Sequence, residues 1–114
     1  VLAPDGKIYF APFGASRALA IDPQTSTAEL VGPELPGDRK YTAAGVLAPD
    51  GKIYFAPFGA SRALAIDSQA STAQLLGPEL PGDFKYSAAG VLAPDDKIYF
   101  APFGASRALA IDPQ

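Results

Sequence analysis

Gly45-Val46-Leu47-Ala48-Pro49-Asp50-Gly51-Lys52-Ile53-Tyr54-Phe55-Ala56-Pro57 reads as two short strands joined by a tight turn. The apolar run Ala43–Ala48 gives a small first strand. Lys52–Phe58, rich in β-branched and aromatic residues, suits a pleated, half-buried surface. Between them, Asp50-Gly51 predicts a two-residue hairpin turn, since that dipeptide tolerates the positive φ such turns need at both central positions. Working outward, Gly59-Ala60-Ser61 reads as a second hairpin loop. Arg62–Asp67 alternates small and large apolar residues, placing Leu64 and Ile66 on one face and Ala63 and Ala65 on the other. After a turn at Asp67-Ser68-Gln69, Ser71–Leu76 makes a fourth strand. Gly77–Asp83, with two prolines and two glycines, forbids regular pairing and marks a crossover.

The same unit recurs every 45 residues. Val1–Gly45 and Val46–Gly90 match at 39 of 45 positions, and residues 91–114 match the first 24 at all but one, Asp96 standing where the first copy has Gly6. Near-identity at such a period marks architectures in which one supersecondary unit cannot bury its apolar face alone. Four short antiparallel strands, three hairpins and one long connection make the plan of a β-propeller blade. Residues 1–45 read as blade 1 plus its crossover, 46–90 as blade 2 plus its crossover, and 91–114 as a partial blade 3 of three strands. A helix over Gly14–Ala20 is too short and lies among β-rich sequence. A β-solenoid demands parallel-strand logic, against which Asp-Gly hairpins argue. The expected class is therefore all-β, a propeller of four-stranded antiparallel blades.

Gly45–Pro57 resembles propeller blades of the NHL and YVTN-like type, which share a small inner strand, an Asp-Gly turn, an Ile/Val-Tyr second strand and a hydrophobic third strand ending in Asp. The resemblance extends over every copy. It implies architecture and leaves function open, because such propellers serve as enzymes, lectins and scaffolds. The high internal identity also resembles engineered symmetric propellers of the Cake and Scone kind. That likeness implies self-assembly into a symmetric ring without a natural ligand.

Composition narrows the function classes. Net charge is −3 with no Cys, His, Met or Trp, so nucleic acid is not an expected partner and the commonest metal ligands and general base are missing. No apolar run is long enough to suggest a membrane span, and neither membrane partner nor cofactor is expected. Ser16, Ser61 and Ser106 have no histidine base, and no enzyme activity is expected.

Arg17, Arg62 and Arg107 each precede an Ala-Leu-Ala-Ile-Asp strand; they could form an anion-binding ring, or pair with or sit beside Asp22, Asp67 and Asp112, which suit turn-capping. Asp5, Asp50 and Asp95 read as turn residues, being too sparse for calcium. Tyr9, Tyr54 and Tyr99, with Phe13, Phe58 and Phe103, read as core between blades in preference to sugar-stacking platforms. Tyr41, Tyr86 and Phe84 follow the crossover and are the expected surface, ligand or inter-blade contacts. Phe84 in place of Arg39 is the substitution that most changes chemistry.

The end faces of such an arc expose side chains meant for a neighbouring blade, so the expected partner is the chain itself, as a homo-oligomer closed head to tail. Two copies would supply about 22 strands, near a six-bladed ring, and three about 33, near eight or nine blades. The trimer is favoured over the dimer.

Overall fold

The computed structural model describes residues 1–42 and 44–113; Ala43, at the start of the expected first strand of blade 2, and Gln114 lie outside the described residues. The strands are β1 (Ile8–Phe10), β2 (Ala18–Asp22), β3 (Thr27–Val31), β4 (Val46–Leu47), β5 (Lys52–Phe55), β6 (Ala63–Asp67), β7 (Thr72–Leu76), β8 (Val91–Leu92), β9 (Ile98–Phe100) and β10 (Leu109–Ile111). Among the described residues there is no helix.

They form three sheets, β1-β2-β3, β4-β5-β6-β7 and β8-β9-β10, each an antiparallel meander in chain order. An antiparallel bridge between Leu2 and Ile8 marks the inner edge of the first sheet. The inner strands β4 and β8 are neighbours across two sheets, as inner blade strands converging on an axis must be. The molecule measures 42 × 33 × 19 Å along its principal axes.

The first hairpin departs from the expected two-residue form. The Gly51 amide donates to the Ala48 carbonyl at 3.0 Å and the Ala48 amide to the Lys52 carbonyl at 2.9 Å, enclosing three residues, Pro49-Asp50-Gly51. Only Gly51 of these has positive φ, 84°. Pro49 is the reason: its ring fixes φ near −65°, which suits a type I turn and leaves the following glycine as a left-handed bulge. Gly6 repeats this at φ 83°, and Asp96 is held in the same region at 67°. That non-glycine residue carries the strain its substitution implied.

β5 stops at Phe55, short of the expected Phe58, and the β5–β6 connection is longer than Gly59-Ala60-Ser61. Beyond Pro57 the amides of Phe58, Gly59 and Ala60 bond carbonyls of Arg39 and Lys40 in the preceding crossover (2.8, 2.6 and 3.3 Å). The chain there serves the junction between blades and leaves its own hairpin unextended.

Two apolar clusters hold the sheets together. In the middle blade Ile53, Phe55, Leu64 and Ile66 pack towards Tyr9, Ala18, Ala20 and Val31 of the first. Its opposite face, Tyr54, Ala63 and Ala65, packs towards Ile98, Phe100 and Ile111 of the third. Large aliphatics on one face therefore meet alanine and tyrosine on the next, an alternation of large and small that fills the gap between sheets. Gly32 closes the outer part of the first junction: a Cβ there would lie 2.6 Å from that of Ala73.

Candidate functional site

Repeated polar residues are first committed to local structure. In each copy the turn aspartate accepts two bonds: Asp50 takes the Lys52 amide at 2.9 Å and the Tyr54 hydroxyl at 2.7 Å. Asp5 does the same with Lys7 and Tyr9, and Asp95 with Lys97 and Tyr99. The Tyr99 hydroxyl, followed by the Lys97 amide, lowers the Asp95 pKa. Burial, with the aspartate bond adding to it, raises the phenol pKa of Tyr9 and Tyr54. Asp22 and Asp67 cap their turns, accepting the amides of Gln24 and Gln69 at 3.0 and 3.1 Å. The groups of three or more acidic residues that could hold a metal are absent among the described residues.

The arginines bond backbone carbonyls. Arg17 Nε donates to Gly32 O and Arg62 Nε to Gly77 O, both at 2.9 Å, tying the start of a blade's third strand to the end of its fourth. Arg107 is exposed. Tyr41 and Tyr86, expected as surface, ligand or inter-blade contacts, are buried, and their hydroxyls donate to Arg62 O and Arg107 O at 2.8 Å. Each crossover tyrosine thus spans a junction between blades. Beside them Lys40 and Lys85 are buried, a role the sequence reading missed, and donate to Ala15 O at 2.6 Å and Ala60 O at 2.7 Å. Burial lowers the Lys85 pKa, against the opposing pull of Asp83. The Lys-Tyr pair standing unchanged beside the altered position 39/84 was the available signal.

Crossovers and β5–β6-type loops share one end of the meander. Phe13, Phe58 and Phe103, expected as core, emerge there, because their loops pair with the crossovers: Phe13 is 48% and Phe103 70% exposed. Phe58 lies 6.4 Å from Phe13 and 4.9 Å from Phe84, centroid to centroid, and the Arg39 guanidinium sits 5.7 Å over the Phe84 ring. Arg39 and Phe84 line an open cleft of about 700 Å³ together with Gly14, Asp38, Gly59 and Asp83.

The two outward blade faces form the other candidate surface. Phe55 and Phe100 are 2% and 1% exposed, while Phe10, the same residue in the first blade, is 46% exposed. Leu2 and Leu30 are exposed beside it. At the other end Tyr99 is 40% exposed, against 1% for Tyr9 and 4% for Tyr54. The first blade therefore presents the large-aliphatic face, and the third the tyrosine-alanine face, that mate at both internal junctions.

No protein-family profile matches the chain, and no curated protein does. Among solved structures it is similar to a catalytically inactive virginiamycin B lyase from Staphylococcus aureus with quinupristin, a β-propeller enzyme. The match has a TM-score of 0.66 at 18% identity and covers all of this chain and 40% of that one. At that identity the likeness establishes the fold: the chain is an all-β, propeller-type array of antiparallel blades.

Proposed function

We propose that this chain is a structural, non-catalytic blade module whose function is self-assembly, copies joining face to face into a symmetric propeller of the kind engineered repeat propellers form. The carrying observation is the difference between Phe10 and its buried counterparts Phe55 and Phe100, mirrored by Tyr99 against Tyr9 and Tyr54. Docking the first blade of one copy on the third blade of another would repeat an interface the chain makes twice. It would also remove from water the apolar area that soluble surfaces seldom leave contiguous. The interface is heterologous, so it closes only if the angle per blade divides the circle.

Oligomer mass by native mass spectrometry and light scattering tests this. A single dimeric or trimeric species is expected, and Tyr99→Asp should dissociate it. A monomer at all accessible concentrations would sink the proposal. A second reading, a lectin-like or small-ligand binder, draws on the loop-end cleft with Phe84, Arg39 and two aspartates. A glycan array positive for wild type and negative for Phe84→Ala would favour it.

A further inference from the structure

Arg39 and Phe84, the position at which the two crossovers differ most in chemistry, both stand in a costly backbone conformation, each with φ at 49°. A residue with a Cβ meets a steric penalty there that glycine escapes, and a bulky ring is a rare occupant. The neighbouring loops fix the crossovers in that shape: the Gly59 amide donates to Arg39 O at 2.6 Å and the Gly104 amide to Phe84 O at 2.8 Å. Strain of this kind gathers where side chains are held in place for a ligand. Here the two side chains line one cleft, with the Arg39 guanidinium 5.7 Å from the Phe84 ring centroid. The charges in that cleft are uncompensated. Elsewhere Arg17 and Arg62 donate to backbone carbonyls, and Asp5, Asp22, Asp50, Asp67 and Asp95 accept backbone amides. Among the described residues the side chains of Asp38, Arg39 and Asp83 make no hydrogen bond, and no ion pair joins the arginine to either aspartate, although all line the cleft. Asp83 acts on Lys85 through space, but that ammonium is buried and bonded to Ala60 O. Both signs of charge thus border a volume of about 700 Å³, within the range of small-molecule sites, beside a Phe84 ring that is 40% exposed and backed by Phe58.

We infer that the loop-end cleft binds a small zwitterion with an apolar body, an α-amino acid carrying an aromatic side chain. The ligand's carboxylate takes the Arg39 guanidinium, whose planar fork suits two carboxylate oxygens. Its ammonium is held by the Asp38 and Asp83 carboxylates, and its ring lies against Phe84. A neutral sugar would fill the same volume and leave both signs of charge without a counter-charge. The inference rests on the second reading above, that this cleft takes a small ligand, and narrows it to one chemical class. It is independent of assembly, which uses the outward blade faces and leaves the loop end free.

The chain has no tryptophan, so the indole fluorescence of added L-tryptophan reports its own binding. Titrating the intact 114-residue chain into L-tryptophan, read by anisotropy, should give saturable binding of one ligand per chain at millimolar concentration or below. Tryptamine, which lacks the carboxylate, and indole-3-propionate, which lacks the ammonium, should each bind about tenfold more weakly, having lost a charge-assisted contact. Arg39→Gln should weaken tryptophan about tenfold and leave tryptamine unchanged. Asp38→Asn combined with Asp83→Asn should weaken tryptophan equally and spare indole-3-propionate. A merely structural role for these exposed side chains would not produce that crossed pattern. Absence of saturable tryptophan binding, or equal binding of the three indoles, overturns the inference. Saturable binding of a neutral glycan without tryptophan keeps the small-ligand reading and overturns this one, whereas silence of both ligand types ends both.

Discussion

Replacing Phe55 and Phe10 separately by alanine uses the repeat as its own control, because the two residues sit in identical local sequence. Phe55 is 2% exposed and its removal leaves a cavity between two blades, which costs about 3–5 kcal/mol. Phe10 is 46% exposed, so roughly half the transfer free energy has already been forgone and no closed cavity forms; the loss is about 1 kcal/mol. The difference, at least about 2 kcal/mol, isolates what blade-on-blade packing adds to a fixed sequence. Thermal unfolding followed by far-ultraviolet circular dichroism reads it directly. In a domain of this size each kcal/mol lowers Tm by about 4 °C or more, so Phe55→Ala should lower it by at least about 12 °C and Phe10→Ala by about 4 °C in dilute solution. If copies assemble as proposed and cover Phe10, raising protein concentration should enlarge the Phe10→Ala deficit towards that of Phe55→Ala. Equal losses at high dilution would refute the reasoning, because the outward face of the first blade would then have to be buried within a single chain.

Three further outcomes follow from the geometry. Asp96→Gly should stabilise the protein by about 1 kcal/mol, since Asp96 holds φ at 67° where glycine bears no steric cost, and chemical denaturation of the two proteins side by side measures it. Gly59→Ala should destabilise by about 2 kcal/mol or more, its Cβ meeting the Asp38 carbonyl and lying 2.7 Å from the Arg39 carbonyl, whereas Gly14→Ala, with nothing within 4 Å, should be nearly neutral. Alkaline pH should destabilise. Burial raises the phenol pKa of Tyr9, Tyr41 and Tyr54 above 10.0, so the unfolded chain loses those protons first. Their stabilisation is complete below about pH 10 and is lost as pH rises beyond it. Lys85, lowered from 10.5, acts with the opposite sign but is one group against five, since Tyr86 and Tyr99 are raised as well. Tyr54→Phe should flatten the fall of unfolding free energy above pH 10 by one proton's worth, and an unchanged slope would remove Tyr54 from this account.

The structure departs from the sequence reading for one local reason and otherwise through contacts with the crossovers. The local one is Pro49, which beside Asp50-Gly51 dictates a type I turn with a glycine bulge. Phe13, Phe58 and Phe103 carry the composition of core, yet backbone hydrogen bonds hold their loops against the crossovers, leaving Phe13 and Phe103 exposed and Phe58 half-buried. For Tyr41 and Tyr86 the sequence left surface, ligand and inter-blade contact open; their hydroxyls reach carbonyls 21 residues on, in the next blade.

The sequence by itself determined the repeat, the strand order and the alternation of faces, because period-2 side-chain alternation and turn residues act over a few neighbouring positions. What tertiary structure alone decided is which copy of an identical residue is buried. Phe10 and Phe55, Tyr54 and Tyr99 and Gly14 and Gly59 share their local sequence and differ in environment because burial depends on the blade that stands alongside. Local rules shape each blade, and its place in the array sets which of its faces meet another blade and which remain exposed.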